Sequence, residues 1–282
     1  MPTSSSVIEA RRAFGRRLRL LREHAELTTR ELARRCEWHE SKCSRIENGH
    51  TQASIETIRV WARACGAEEQ TEALIEAARG IEGMYVEWKE MEKSGLRHAQ
   101  DSVRQLWERT RAFRAYSQNM IPGLLQTEAY TRAVLEGIRD RRGLHDDVEE
   151  ALASRVDRQT VLDDKARSFE IVLEEAALYR RVGPPELMAE QLWRLLEVAA
   201  RPHVRLGIIP RDADRRLMPP VEDFWIFDGR QVEVELVSGF LRVKQSHELK
   251  LYTEDFKRLD GLAVHGGPVL QLIAAVLASY NS

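Results

Sequence analysis

The stretch that decides the fold is residues 27–49, LTTRELARRCEWHESKCSRIENG, and it predicts two short helices joined by a tight turn. Thr28 and Glu31 have the Thr-x-x-Glu spacing of a capping box, which starts a helix. Apolar residues then recur at helical spacing on one face of each helix. Asn48-Gly49 is a typical helix C-terminus. We therefore expect the turn at Glu37-Trp38 and the second helix from about His39.

The second of these helices has a distinctive outward face. Cys43 and Ile46 are expected to point inward, which leaves outward the residues Glu40, Ser41, Lys42, Ser44 and Arg45. Short polar groups together with Lys and Arg are the side chains that can contact base edges in a DNA major groove.

Three segments, Leu27-Thr28, Glu31-Leu32-Ala33 and 41–49 (SKCSRIENG), resemble the helix-turn-helix of lambda-repressor-like domains, also called Cro-type or XRE-type. Two positions depart from that pattern. Glu37 stands where the family usually has Gly, so we expect a positive φ there. His39 stands where the family usually caps the recognition helix with Ser or Thr.

The resemblance implies a DNA-binding surface. Its residues are Thr29, Arg30, His39, Glu40, Ser41, Lys42, Ser44, Arg45, His50 and Thr51. Base-pair chemistry makes Arg45 a candidate for guanine and Glu40 for cytosine, while Thr29 and the basic groups would contact phosphate. The resemblance also implies that Arg22 and Glu47 form a structural pair.

The whole chain is expected to contain two domains. Residues 1–80 would form a mainly α, five-helix lambda-repressor-like domain, and residues 81–115 a helical joint. Residues 116–282 would form an α+β domain for effector or partner binding and dimerisation, with a small, largely antiparallel sheet. Strands are expected at 169–174, 203–209, 223–228 and 231–237, with a hairpin turn at Asp228-Gly229. Helices are expected at 127–138, 146–163, 185–200, 253–263 and 268–280.

Charge is distributed unevenly along the chain. Residues 1–65 contain 13 Arg and Lys against 8 Asp and Glu, whereas the remainder contains 30 against 37. A basic N-terminal segment followed by an acidic remainder is typical of a DNA-binding domain joined to a domain that binds something else. No apolar run approaches the roughly 18 residues of a membrane span. We therefore expect a cytoplasmic protein without membrane contact, associated with the nucleoid when it is bound to DNA.

A second resemblance covers the later part of the chain. Ile121–Tyr130 (IPGLLQTEAY), Arg155-x-x-Arg158-Gln159, and 174–178 (EEAAL) with Val182-Gly183 resemble the C-terminal domain of WhiJ-like, antitoxin-like actinomycete regulators. That resemblance implies a small partner protein. Two interpretations of Arg155, Arg158 and Gln159 stay open: a solvated polar stripe, or a trio that pins its helix to the strand region around Glu174 and Glu175.

No catalytic constellation is visible, so we expect no enzyme. No His or Cys spacing predicts a metal site or a cofactor, and Cys36, Cys43 and Cys65 are expected to be inert core thiols rather than a metal or redox site. The predicted function is sequence-specific recognition of double-stranded DNA by a homodimer whose C-terminal domain binds a small partner protein. The alternative is a ligand-responsive regulator. A ligand sensor requires an apolar pocket with a few convergent polar groups, whereas a partner-binding domain requires an exposed apolar patch or an open strand edge.

Overall fold

The computed structural model describes residues 5–82, 85–87, 95–237 and 239–280. The chain divides into two compact units, Met1–Val86 and Glu87–Ser282. Part of the expected helical joint, residues 83–84 and 88–94, lies outside the described residues.

Residues 5–82 of the first unit form helices joined by short loops. Its elements are α1 (Ser5–His24), α2 (Thr29–Arg35), α3 (Glu40–Glu47), α4 (Ile55–Ala64), the 3-10 turn Glu68–Gln70 and α5 (Thr71–Glu82). The capping box predicted at Thr28 is present, and Ser54 caps α4 with its hydroxyl, which accepts from the Thr57 amide. The core of the unit includes Leu18, Leu32, Ile58, Trp61, Leu74 and Ile75, all fully buried.

The turn between α2 and α3 has the predicted backbone. Glu37 has a φ of 57° and Gly49, just after α3, has a φ of 71°. Both values lie in the left-handed region, which glycine adopts at little cost and other residues rarely adopt. The expectation of a positive φ at Glu37 is therefore confirmed.

Gly15 sets the distance between α1 and the end of α3. A Cβ atom at this position would lie 2.5 Å from the carbonyl oxygens of both Ile46 and Glu47. Backbone atoms cannot move aside as a flexible side chain can, so only glycine allows this approach.

The second unit is built around a sheet with helices on its connections. Its helices are α6 (Leu96–Asp101), α7 (Arg104–Arg109), α8 (Glu128–Arg142), α9 (Val148–Gln159), α10 (Ala176–Tyr179), α11 (Pro185–Ala199), α12 (Ser246–Leu262) and α13 (Gly267–Tyr280). Short 3-10 turns lie at Gly123–Leu125 and Thr160–Asp163. The strands are β1 (Tyr85–Glu87, at the boundary of the two units), β2 (Ala112–Ser117), β3 (Ser168–Glu174), β4 (Val204–Ile209), β5 (Phe224–Phe227), β6 (Gln231–Glu235), β7 (Gly239–Val243) and β8 (Val264–His265).

The sheet of the second unit is larger and more mixed than predicted. Seven strands lie in the order β7-β6-β5-β2-β3-β4-β8. Strands β2, β3 and β4 are parallel, and the others pair antiparallel with their neighbours. Parallel neighbours need a crossover connection, which α8 with α9 and α10 with α11 provide. The expectation of an α+β unit is confirmed, but that of a small, largely antiparallel sheet is wrong.

Local predictions in this unit have mixed outcomes. The four expected strands are present as β3, β4, β5 and β6, and Asp228-Gly229 forms the expected hairpin turn, with φ values of 51° and 64°. The expectation that residues 112–115 are helical is wrong, because they belong to β2. There the ring of Phe113 stacks on that of Phe169 on the neighbouring strand, with ring centroids 4.9 Å apart. Tyr85–Glu87 is likewise a strand instead of helix. Helix α12 begins at Ser246, seven residues before the predicted 253.

None of the helices in the described ranges combines the length and the apolar character that a bilayer span requires.

Candidate functional site

The outward face of α3 is the first candidate site. Five residues of this face are exposed: His39, Glu40, Ser41, Ser44 and Arg45. The opposite face of the helix is buried and carries Cys43 and Ile46. The Arg45 side chain forms no hydrogen bond or ion pair with any residue that the structure describes. The core thus fixes the helix from behind and leaves its polar face accessible.

Several of the predicted contact residues on this face have side-chain partners within the unit. His39 caps α3, with its Nδ1 atom accepting from the Ser41 amide at 3.3 Å and lying 2.8 Å from Ser41 Oγ. Lys42 is half-buried because its ammonium lies over the Trp38 ring, 3.8 Å from the centroid. Ser44 Oγ accepts from Asn48 Nδ2 at 3.4 Å. Glu40 and Arg45 are therefore the most available members of this face.

The other predicted contact residues flank α3. Thr29 is half-buried at the start of α2, and Arg30 beside it is exposed. His50 and Thr51 are exposed in the loop after α3, where both their amides donate to the Arg45 carbonyl, at 2.8 and 3.2 Å. These two hydrogen bonds hold the loop at the C-terminal end of the helix.

Arg22 and Glu47 hold α1 against α3. The Arg22 guanidinium donates from Nε to Glu47 Oε1 at 2.6 Å and from Nη2 to Oε2 at 3.1 Å. Its Nη1 donates to the Leu27 carbonyl at 2.7 Å. The hydrogen bond with Glu47 raises the pKa of Arg22, although burial opposes the shift. Arg19 donates to the same carboxylate at 3.0 Å.

The cysteines of this unit have the environment of core residues. Cys36 and Cys43 are buried and Cys65 is half-buried. Burial raises the pKa of each thiol to about 11. A thiol that stays protonated is a poor nucleophile and metal ligand. Within the described ranges no group of His, Cys, Asp and Glu could hold a metal ion.

The second unit contains a different kind of site, a cleft of about 790 Å³. One side is formed by residues 117–124, which run from the end of β2 through the Ile-Pro-Gly turn, and by α8. Trp107 and Trp225 form an aromatic wall, with ring centroids 4.9 Å apart. Four arginines also line it: Arg141, Arg155, Arg158 and Arg181.

Arg155 and Arg158 lie on α9 and share an uncharged acceptor. Gln100 Oε1 accepts from Arg155 Nε at 3.1 Å and from Arg158 Nη2 at 2.9 Å. Arg158 Nη1 also donates to the Gln100 carbonyl at 3.0 Å, and its guanidinium lies over the Trp107 ring, 5.2 Å from the centroid. Neither guanidinium forms an ion pair with a described residue. Burial lowers the pKa of both arginines, and the neighbouring Arg155 lowers that of Arg158 further.

The expectation that this trio pins α9 to the strand region is wrong. Gln159 Nε2 donates to the carbonyls of Gly123, at 2.7 Å, and Gln126, at 3.0 Å. The trio therefore holds α9 to α6 and to the Ile-Pro-Gly-Leu-Leu-Gln turn. Glu174 instead accepts from Tyr116 at 2.7 Å and pairs with Arg215, and Glu175 accepts from the Arg211 amide at 2.9 Å.

The acidic residues of the cleft do not neutralise this arginine pair. Asp223 accepts from Ser117 Oγ at 2.6 Å and from the Gln118 amide at 2.9 Å. Glu222 accepts from Tyr252 at 2.7 Å. Glu235 interacts with Arg155 only through space.

Comparison with protein families identifies the family to which the second unit is similar. The model described as "Domain of unknown function (DUF5753)" matches residues 100–274. The chain belongs to the DUF5753 family. The matched range contains the lining of the cleft together with Gln100, so the cleft is a feature of the DUF5753 region of this chain.

The first unit matches a second model, described as a helix-turn-helix domain, over residues 13–74. None of the curated proteins matches the chain significantly. Among solved structures, TrmBL2, an archaeal chromatin protein described as showing a novel mode of DNA binding, is 13% identical and aligns over 85% of this chain and 88% of that chain. Its TM-score of 0.32 is too low for this similarity to support a conclusion.

Sequence reasoning did not identify Gln100, Trp107 or Trp225 as site residues. Gln100 lies 55 and 58 positions before the arginines that it binds, and no local pattern connects it with them. The Trp107 position carried an aromatic signal, but an apolar stripe on a helix is usually core, and Trp107 is indeed also packed against Phe113.

Proposed function

We propose that this chain is a sequence-specific transcriptional regulator that binds double-stranded DNA through the exposed face of α3. The observation that carries the proposal is that face itself: Glu40, Ser44 and Arg45 are available to solvent on a helix whose other side is fixed by the core and by the Arg22–Glu47 pair. The role is one of binding and not of catalysis.

The proposed readout follows base-edge chemistry. Arg45 suits the two acceptors of guanine, and Glu40 suits the amino group of cytosine. Arg30, His50 and Thr51 flank α3 and are exposed, as phosphate contacts require. Arg12, Arg16 and Arg17 on α1 are exposed as well and add positive charge to the unit.

The proposal includes a homodimer. One helix-turn-helix contacts few base pairs, and paired half-sites on DNA mirror a two-fold symmetric protein. Sedimentation of the full-length chain at micromolar concentration should give twice the monomer mass. A monomer under these conditions, with and without DNA, would contradict this part of the proposal.

The role of the second unit has two candidates. The resemblance to WhiJ-like regulators favours a small partner protein. The cleft favours the alternative, a ligand-responsive regulator, because it combines an aromatic wall with convergent arginines. Its volume of about 790 Å³ falls within the roughly 300–1,000 Å³ of small-molecule sites.

The test of DNA recognition begins with selection of bound sequences from random duplex DNA. Arg45→Ala should then weaken binding to the selected site by roughly 1–3 kcal/mol and relax discrimination at one base pair. Arg63→Ala is the matched control, because Arg63 is also exposed in this unit but lies on α4. Equal losses on selected and random DNA would assign Arg45 to phosphate contact, and no loss on either would remove α3 from the interface.

A further inference from the structure

The arginine pair of the second unit is unusual because two positive groups meet in a cleft, and no carboxylate among the described residues forms an ion pair with either of them. Arg155 and Arg158 are both half-buried, and each donates to the same Gln100 oxygen. A neutral amide oxygen provides far less compensation for two guanidinium groups than an anion does, because the strongest hydrogen bonds of arginine are those to carboxylate or phosphate.

Arg155 and Arg158 each retain an N–H group that donates to none of the described residues. Arg155 uses Nε toward Gln100 and Nη1 toward Gln126, the latter at 3.5 Å, which leaves its Nη2 without a partner among the described residues. Arg158 uses both terminal nitrogens, and its Nε has no partner in the part of the chain that the structure describes. An arginine fork with spare N–H groups is suited to a planar or tetrahedral anion.

The remaining walls indicate what the anion is attached to. Trp107 and Trp225 form an aromatic surface beside the pair, and Arg158 itself lies over the Trp107 ring. Glu235 contributes a carboxylate elsewhere in the lining, near enough to influence Arg155 electrostatically but not in contact with it. A ligand that fills the cleft therefore requires an acidic group at one end and an apolar, preferably aromatic, body.

We propose that this cleft binds an organic anion of metabolite size, with its carboxylate or phosphate group between Arg155 and Arg158 and its apolar body along Trp107 and Trp225. This deepens the ligand-responsive alternative given above. Binding to the cleft does not depend on DNA recognition by α3, so the two can fail separately.

The experiment uses three probes on the full-length chain and measures heat of binding by titration calorimetry. The probes are 2-naphthoate, the uncharged 2-naphthamide and 2-naphthyl phosphate. The charged probes should bind about tenfold to a hundredfold more tightly than the amide, since hydrogen bonds to charged groups are the stronger ones. The two charged probes distinguish a carboxylate site from a phosphate site.

Substitutions locate the site. Arg155→Gln and Arg158→Gln should each reduce the affinity for the preferred charged probe to near that of the amide. Arg109→Gln is the matched control, since Arg109 is exposed and lies outside the cleft lining, and it should bind as the unmodified chain does. Circular dichroism establishes that each variant is folded, and Arg158→Lys, which keeps the charge, should retain part of the affinity.

Three results would overturn the proposal. Equal affinity for the naphthoate and the amide would show that only the aromatic wall binds. Full affinity in both glutamine variants would place the anion elsewhere. Absence of binding by all three probes at millimolar concentration would remove the small-molecule site and favour the partner protein. In each of these cases, the Arg45→Ala result on DNA would stand independently.

Discussion

Arg22 in the first unit and Arg158 in the second are both withdrawn from solvent on helices, yet their surroundings differ. Arg22 is 8% exposed and faces Glu47, which is 3% exposed, through two hydrogen bonds. Among the described residues Arg158 donates to Gln100 alone, and its guanidinium lies over an aromatic ring. The shift in pKa is opposite in the two cases: the Glu47 carboxylate raises that of Arg22, and burial lowers that of Arg158.

This difference separates a structural arginine from one that is available to a ligand. A guanidinium that already has a carboxylate partner stabilises the fold, and the carboxylate neutralises most of its attraction for a further anion. A guanidinium that has only neutral partners retains much of its electrostatic attraction for an anion. In this chain the first kind supports the helix-turn-helix, and the second kind lines the cleft.

The largest expected effect is that of removing the carboxylate from the Arg22–Glu47 pair. Glu47→Ala should lower the free energy of unfolding of the first unit by about 3–5 kcal/mol, because it removes the buried carboxylate partner of Arg22 and leaves the solvent-exposed Glu23, 3.5 Å away, as its remaining ion-pair partner among the described residues. Urea unfolding of the full-length chain gives the magnitude, and hydrogen exchange of α1 and α3 assigns it to this unit. Arg22→Met with Glu47→Leu should cost much less than Glu47→Ala alone, since no unpaired charge remains. Equal costs for the double and single variants would show that packing, not pairing, dominates.

The next effect concerns the close approach that brings Arg22 to Glu47. Gly15→Ala would place a methyl group 2.5 Å from two carbonyl oxygens of α3. We expect a loss of roughly 1–3 kcal/mol, typical of overpacking. Gly137→Ala in α8 is the control, because its Cβ would meet nothing within 4 Å. It should stabilise the chain by about 0.5–1 kcal/mol through helix propensity. A stabilising Gly15→Ala in thermal unfolding would contradict the observed crossing of α1 and α3.

The two regions also differ in how far the sequence could predict them. Thr28, Glu31, Glu37 and Gly49 act within a few residues of themselves, so their caps and turns follow from local patterns. The hairpin at Asp228-Gly229 and the strands around it were predictable for the same reason.

The parallel centre of the sheet and the cleft depend instead on distant partners. In β2, the residues 112–117 (AFRAYS) show no strand alternation, and the strand is formed by pairing with β3, for example Phe113 with Phe169. The acceptor of Arg155 and Arg158 lies on a helix more than fifty positions earlier. Periodicity indicates which face of an element is buried but not which residue that face contacts, so it could not identify the partners of Arg155, Arg158 and Gln159.

A smaller effect is expected when Arg158, which forms no ion pair with a described residue, is replaced. Arg158→Met loses hydrogen bonds to neutral acceptors but also removes a desolvated charge, so the two contributions largely cancel. The free energy of unfolding should change by less than about 1 kcal/mol in either direction. Urea unfolding of the second unit provides the measurement. A loss as large as that of Glu47→Ala would make Arg158 a structural residue and would abolish the contrast with Arg22.

The smallest expected effect is at the turn that precedes α3. Glu37 has a φ of 57°, is exposed and, within the described part of the chain, has no side-chain partner. Glycine adopts this conformation without a clash of Cβ, although it also increases the entropy of the unfolded chain. Glu37→Gly should therefore be neutral or stabilising, by up to about 1 kcal/mol. Glu40→Gly is the informative comparison, because the same replacement on the first turn of α3 removes no positive φ and should destabilise the helix. If thermal unfolding shows a clear loss for Glu37→Gly, the side chain of Glu37 supports the turn in a way that its backbone strain does not reveal.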